Sequence, residues 1–236
     1  MNEKPLLKTV IIHGQSHKGS TYNTARMLAD KIGGEVSEFF LPRDFGEFCT
    51  GCTSCIIKGE ENCPHRESLA PIVNAVLEAD VIILASPVYC YHATGAMKAF
   101  LDHLAYLWMS HRPDERMFNK QGVCISTAAG AGVKSANKDM ADSLFFWGVP
   151  KIYSFGIAIA AESWEKISDK KRTKIDKATS AIAAKIKKAH GRVKPGLKTR
   201  GFFAIMRMLE KGESGIPKDA EYWKEKGWLE SARPWK

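Results

Sequence analysis

The sequence lacks any apolar run of the ~18 residues that a membrane-spanning helix needs, and no apolar stretch of the signal-peptide kind follows its N-terminus. It contains no GKS or GKT end of a P-loop, no GxGxxG motif, and no recognisable Ser–His–Asp or paired-carboxylate arrangement. These absences exclude a membrane-spanning helix, a P-loop nucleotide site and the usual machinery for hydrolysis. We therefore expect a cytoplasmic protein.

Net charge is nearly absent outside the C-terminal quarter of the chain. Residues 168–236 hold 19 Lys and Arg against 8 Asp and Glu, whereas residues 1–167 hold 16 against 18. A basic surface can attract nucleic acid, an anionic membrane or an acidic protein. The tail carries no signature of a nucleic-acid-binding module, so we interpret its lysines as a solvated helix surface and expect no nucleic-acid partner.

Disulfides are not expected, because they are rare in cytoplasmic proteins. Four of the six cysteines fall within fifteen residues: Cys49, Cys52, Cys55 and Cys63. This C-x2-C-x2-C spacing with a fourth cysteine further on suits a [4Fe–4S] cluster, and four thiolates would also suit tetrahedral zinc. Cys90 and Cys124 lie in apolar strand or strand-end contexts, and we interpret them as core thiols.

Apolar, β-branched runs alternate with amphipathic helical patterns along the first 190 residues. We predict strands at Lys8–His13, Glu35–Phe40, Val81–Ser86, Gly122–Ser126 and Ile152–Ile159. We predict helices at Tyr22–Ile32, Ser68–Glu78, Gly95–Leu107, Val133–Phe146 and Ser168–His190. Five β–α alternations indicate an α/β fold with a doubly wound, parallel, five-stranded sheet.

Beyond Gly191 the alternation stops, and we divide the chain there into a domain at 1–190 and an arm at 191–236. The arm is basic and rich in aromatic residues, with helical apolar runs around 201–209 and 221–229. Aromatic residues at this density are seldom left in water. We therefore expect the arm to pack on its own domain or on a second subunit.

The loop after the first strand is short and rich in small polar residues, and a helix begins directly after it. Backbone N–H groups and the helix dipole at such a corner favour an anion. Hydroxyl groups and one lysine there could hold a single phosphomonoester, which points to FMN; the candidates are Ser16, His17, Lys18, Ser20, Thr21, Asn23 and Thr24. The alternative is an ordinary Ser/Thr cap on the helix.

The loops after the third and fourth strands should lie at the same edge of the sheet, because ligands of such sheets bind beyond the carboxyl ends of the strands. The third-strand loop offers aromatic faces and backbone amides at Pro87, Val88, Tyr89 and Tyr91. The fourth-strand loop is almost free of side chains, so its backbone can approach a flat ring at Thr127, Ala128, Ala129 and Gly130. The alternative is that both loops are simply tight turns.

Taken together, Gly14–Thr24, Cys49–Cys63, Ser86–Tyr91 with the following Met97–Asp102 helix, and Ser126–Gly132 resemble the flavodoxin-like NAD(P)H-dependent FMN reductases, and within them the iron–sulfur flavoproteins. The resemblance runs from about Lys8 to about Ile159 and implies a three-layer flavodoxin-like fold. It implies FMN with its phosphate on the first loop and its ring on the other two. It also implies hydride transfer from NAD(P)H to the flavin, and a homodimer or higher homo-oligomer. The family often has Arg where this chain has His17, which leaves Lys18 as the surer positive charge.

The resemblance favours iron–sulfur over zinc at the cysteine run, although related reductases keep similar cysteines without a metal. The predicted function is FMN-dependent NAD(P)H oxidation with a quinone, a flavin or another small molecule as acceptor. The alternative is an electron carrier with FMN and a [4Fe–4S] cluster that exchanges electrons with a ferredoxin-like protein, for which the basic C-terminal quarter offers a docking surface.

Overall fold

A computed structural model describes residues 6–212 and 215–236 of the chain. Its centre is one five-stranded parallel sheet with the strand order β2-β1-β3-β4-β5. The strands are β1 (Lys8–His13), β2 (Glu35–Phe40), β3 (Val81–Pro87), β4 (Gln121–Ala128) and β5 (Lys151–Ala158). This arrangement confirms the predicted doubly wound flavodoxin-like sheet, whose order reverses between β1 and β3.

Helices cover both faces of the sheet. They are α1 (Ser20–Ile32), α2 (Ser54–Ile57), α3 (Arg66–Glu78), α4 (Gly95–His103), α5 (Val133–Phe146), α6 (Asp169–Ala189), α7 (Leu197–Glu210) and α8 (Pro217–Glu225). Since successive strand residues point to opposite faces, Val10 and Ile12 pack with α3, α4 and α5, whereas Ile11 packs with α1 and α6. The central strands β3 and β4 are buried almost throughout, which explains their uniformly apolar sequences.

The helix predicted over Gly95–Leu107 ends earlier, at His103, and a 3-10 turn follows over Ala105–Leu107. The apolar pattern continues through both, and over a single turn it does not distinguish the two kinds of helix. Within the cysteine run, the short helix α2 also has no counterpart among the predicted elements.

The last 46 residues contribute a third, aromatic cluster beside the sheet. Phe203 of α7, Trp223 of α8 and Trp228 pack against Met109 and Phe118, which belong to the segment between α4 and β4. The Trp223 indole N–H donates to the His111 carbonyl at 2.6 Å. The arm therefore contacts the segment between α4 and β4 of its own chain. The division of the chain at residue 190 stays a prediction.

Candidate active site and cysteine loop

Three loops meet at the carboxyl edge of the sheet, as the sequence predicts, and direct hydrogen bonds join them. The Tyr89 hydroxyl in the β3–α4 loop donates to Gln15 Oε1 in the β1–α1 loop at 3.0 Å. The hydroxyl oxygens of Thr21 and Thr127 lie 2.7 Å apart, and the Val88 amide donates to the Thr127 carbonyl at 2.9 Å. These contacts make the β1, β3 and β4 loops parts of one site.

A cavity of about 290 Å³ opens between these loops. The predicted binding residues that line it are His17, Ser20, Thr21, Pro87, Val88, Tyr89, Thr127, Ala128 and Ala129. The volume is near the lower end of the range for small-molecule sites, roughly 300–1,000 Å³. The cavity therefore contains residues from each of the three predicted loops.

The other predicted residues lie outside the lining of this cavity: Ser16, Lys18, Asn23, Thr24, Tyr91 and Gly130. Thr24 is buried, and its hydroxyl donates to the Ser20 carbonyl at 2.8 Å. The Lys18 ammonium lies 5.2 Å from the centre of the Tyr22 ring. The structure thus places Ser20 and Thr21 at the cavity and turns the hydroxyls of Thr24 and Ser16 to backbone carbonyls.

The N-terminus of α1 faces the cavity and has no side-chain cap. Gly19 occupies the cap position in extended conformation, and the first turn of the helix carries no acidic residue. The first N–H groups of a helix have no partner within it, so they are available to an anion. The alternative of an ordinary Ser/Thr cap is therefore wrong for this helix.

The β3 and β4 loops touch each other closely at Gly132. Gly132 has φ +92°, and a Cβ atom there would lie 2.6 Å from Val88 Cγ1 and 2.9 Å from Tyr91 Cα. Cys90 and Tyr91 themselves adopt positive φ angles of 48° and 70° between two reciprocal Tyr89–His92 hydrogen bonds. Cys90 is exposed in this turn, which corrects its interpretation as a core thiol: an apolar run that precedes a turn does not bury the turn itself.

Sequence reasoning missed the segment after β5, which closes the cavity. It contributes Ile159, Ala161, Glu162, Ser163 and Trp164. Gln15, also missed, links two loops through Tyr89. The sequence could have indicated the segment after β5, because β5 also ends at the carboxyl edge of the parallel sheet, where ligands bind.

The four clustered cysteines lie on one loop around α2, and their thiols interact. Burial raises the pKa of Cys55, and the nearby thiols of Cys63, Cys49 and Cys52 raise it further. Among the described residues, no three of these thiols come within 4.8 Å of one another. Four soft thiols on one loop are a donor set that fits a [4Fe–4S] cluster, and the same set would also fit a tetrahedral zinc ion.

Two histidines, His65 and His103, lie beside Cys63. The rings of His65 and His103 approach to 2.8 Å between Nδ1 and Nε2, and Cys63 Sγ lies within 4.8 Å of their donor atoms. The His103 Nδ1–H donates to the Ala99 carbonyl at 2.7 Å, so its Nε2 is the acceptor for His65 when both rings are neutral. The 38 residues between the two histidines explain why their spacing gave no signal.

Cys52 should be the most reactive thiol of the metal-free protein. The Ser54 amide and hydroxyl bond to its sulfur and lower its pKa, and the side chain is exposed. Cys124 is buried, and burial raises the pKa of its thiol. Timed iodoacetamide labelling followed by peptide mass spectrometry should therefore modify Cys52 first and Cys124 last, because thiolate and access govern the rate. Equal rates at these two positions would contradict the placement of the cysteine loop.

Comparisons with known proteins show the family to which this chain belongs. A family model described as NADPH-dependent FMN reductase matches residues 7–163. An iron–sulfur flavoprotein of Archaeoglobus fulgidus is 31% identical over 232 residues, which cover 94% of this chain and 100% of that relative. An NADPH azoreductase of a Bacillus species is 26% identical over 132 residues, which cover 56% of this chain and 64% of that protein.

Solved structures share the fold. A flavone reductase aligns with a TM-score of 0.58 at 17% identity, over 80% of this chain and 66% of its own. An FMN-dependent NADH-azoreductase of Bacillus anthracis in complex with FMN aligns with a TM-score of 0.55 at 11% identity, over 74% of this chain and 99% of its own. None of the helices in the described part of the chain is long and apolar enough to cross a membrane. Because the family model covers more than half of the chain and the Archaeoglobus relative is matched along its whole length, this chain belongs to the NADPH-dependent FMN reductase family, a family of FMN-dependent NAD(P)H oxidoreductases.

Proposed function

We propose that this FMN-dependent NAD(P)H oxidoreductase binds its flavin in the cavity between the β1, β3 and β4 loops and passes electrons to a quinone, a free flavin or another small acceptor. One observation carries the proposal: three loops distant in sequence close around the uncapped N-terminus of α1. A bound FMN supplies the redox chemistry, since the isoalloxazine ring accepts hydride and releases electrons.

The residues of the chain would bind and orient that flavin. The first N–H groups of α1 and the hydroxyls of Ser20 and Thr21 would hold the phosphate. The backbone of 127–130 and the Tyr89 side chain would lie against the ring. Since His17 lines the cavity and Lys18 does not, we assign the nearer polar contact to His17 and leave Lys18 as a more distant positive charge.

The first test is flavin binding and turnover of the purified full chain. Equilibrium dialysis should show one FMN per chain, and the complex should oxidise NADPH or NADH faster when a benzoquinone or free flavin is added. Thr21→Val removes one hydroxyl at the helix N-terminus, and should weaken FMN binding about 10- to 100-fold, since a hydrogen bond to a charged group contributes roughly 1.5–3 kcal/mol. Thr179→Val on α6 removes a buried hydroxyl far from the loops and should leave FMN affinity unchanged. A chain that refuses FMN at millimolar concentration would contradict the proposal.

A second candidate function, an electron carrier with FMN and a [4Fe–4S] cluster, is supported by the cysteine loop. The four thiols share one loop, and three relatives of this chain are named iron–sulfur flavoproteins. A ferredoxin-like protein would be the partner, and the basic C-terminal quarter would attract an acidic one. Iron in the protein without NAD(P)H turnover would favour this candidate over the enzyme.

Iron and sulfide analysis of anaerobically purified protein tests the cluster directly. We expect about four irons per chain in the unsubstituted protein, and loss of nearly all of them in Cys63→Ser. Cys124→Ser serves as the matched control, because Cys124 is buried in the sheet, outside the cysteine loop. FMN content should be the same in all three proteins. Equal iron in Cys63→Ser and Cys124→Ser would show that the loop does not hold the metal.

The oligomeric state and the compartment are also proposals. Ile205, Met208 and Leu209 leave an exposed apolar stripe on α7, and a homodimer or higher homo-oligomer would cover such a stripe. Sedimentation equilibrium of the holoprotein measures this, and a monomer at micromolar concentration would contradict it. The proposed compartment is the cytoplasm, where six free thiols would stay reduced.

A further inference from the structure

A buried arginine holds the backbone of the cysteine loop. The Arg112 guanidinium is 5% exposed; its Nη1 donates to the Ile56 carbonyl at 3.0 Å, and its Nη2 donates to the Cys55 carbonyl. Glu60 Oε2, further along the same loop, lies 3.4 Å from Nη2. The planar guanidinium therefore contacts the loop at three residues, from Cys55, the third cysteine of the run, to Glu60.

The counter-charge of this arginine comes from the C-terminal arm. The Asp219 carboxylate, 1% exposed in the first turn of α8, accepts from Arg112 Nη1. His111 Nδ1 lies 2.8 Å from its other oxygen. Two further bonds secure α8 to the same segment, from the Tyr222 hydroxyl to the Pro113 carbonyl and from the Trp223 indole to the His111 carbonyl. Arg112 thus connects the arm on one side with the cysteine loop on the other.

This connection has a physical consequence for the loop. A buried guanidinium needs a paired carboxylate, since an unpaired buried charge is strongly destabilising. The rigid fork of arginine can satisfy two carbonyls and a carboxylate together, which the single ammonium of lysine cannot reproduce. Without Asp219, the arginine would turn toward water and the carbonyls of Cys55 and Ile56 would lose their donor.

We infer that the C-terminal arm positions the cysteine loop for metal binding, with Arg112 and Asp219 as the positioning residues. The inference rests on the proposal that this loop holds a cluster. It gives the arm a role in the site, although none of the arm residues that the structure describes lines the cavity between the three loops.

The test compares three variants of the full chain with the unsubstituted holoprotein. Arg112→Lys keeps a positive charge for Asp219 but loses the fork to the loop, and Asp219→Asn removes the counter-charge. Glu115→Gln is the control, because the Glu115–Lys226 pair also joins the arm to the same segment, at 3.4 Å, without touching the loop. Three quantities are measured: amide hydrogen exchange over 49–63, the rate of iron loss to a chelator, and the electron paramagnetic resonance signal of the reduced cluster.

Arg112→Lys and Asp219→Asn should raise the rate of amide hydrogen exchange over 49–63 and the rate of iron loss at least about tenfold, and they should alter the electron paramagnetic resonance signal. The FMN content and the rate of amide hydrogen exchange in β3 and β4 should stay unchanged. Glu115→Gln should match the unsubstituted protein. Loop exchange and iron retention in Arg112→Lys equal to those of the control would overturn the inference. If Asp219→Asn fails to fold, Arg112→Lys decides alone. Iron absent from the unsubstituted protein contradicts the cluster, whereas the exchange measurement still tests the positioning.

Discussion

Gly132→Ala is expected to weaken FMN binding about 10- to 100-fold. The φ angle of +92° at this position disfavours any residue with a Cβ, at a cost of about 1–2 kcal/mol. The new Cβ would also meet Val88 Cγ1 at 2.6 Å and Tyr91 Cα at 2.9 Å. The backbone penalty and the steric contact both favour separation of the β3 and β4 loops, and this separation would weaken FMN binding. Each 1.4 kcal/mol corresponds to a tenfold loss of affinity. Quenching of flavin fluorescence on titration with the apoprotein measures the dissociation constant.

Gly130→Ala is the matched control for the effect of this substitution on the stability of the apoprotein. Gly130 lies two residues earlier in the same loop, its φ is not in the left-handed region, and a Cβ there would meet no atom within 4 Å. The melting temperature of the apoprotein should therefore stay unchanged in Gly130→Ala and fall in Gly132→Ala. If Gly132→Ala bound FMN as tightly as the unsubstituted chain, contact between these two loops would not be needed for the flavin.

The largest loss of stability is expected for Trp223→Ala, at about 3–5 kcal/mol in the free energy of unfolding. The side chain has no exposed surface, and its ring stacks on Phe203 at 4.7 Å between centroids and meets the edge of Trp228 at 5.4 Å. The substitution would also leave the His111 carbonyl without its indole donor. Urea denaturation followed by circular dichroism gives the free energy.

Trp235→Ala removes another tryptophan of the same cluster that is only partly buried. Its cost should be clearly smaller, because less apolar surface returns to water. A Trp223→Ala protein with unchanged stability would show that the arm is not docked on the rest of the chain in solution. If part of the circular dichroism signal were lost at low urea concentration while the sheet unfolded at its usual concentration, residues 191–236 would be a separately unfolding unit.

The location of the candidate site was predictable because parallel sheets impose it. Val81–Ser86 and Gly122–Ser126 read as apolar strands since both faces of a central parallel strand are buried. Because the strands of a parallel sheet all run in the same direction, the carboxyl ends of these two strands lie at the same edge. The composition of the loops, hydroxyls at Ser20 and Thr21 and small residues at 128–130, then indicated a phosphate and a flat ring.

Single side chains within those loops were harder to assign from sequence. Thr24 and Thr21 are chemically equivalent in the sequence, yet the helical rotation between them turns one hydroxyl to the Ser20 carbonyl and the other to Thr127. Cys90 follows an apolar strand as Cys124 lies within one, but a tight turn leaves Cys90 exposed. Such outcomes depend on local backbone angles that neighbouring residues do not encode strongly.

By itself, the sequence determined the parallel sheet, the edge at which three loops meet, and the run of four cysteines, because hydrophobic periodicity and residue spacing are local properties of the chain. Only the tertiary structure decided which groups meet across long separations. The Arg112–Asp219 contact spans 107 residues and the His65–His103 contact spans 38. No periodicity links such positions, since each contact exists only after separate helices and loops have packed and buried their charged groups together.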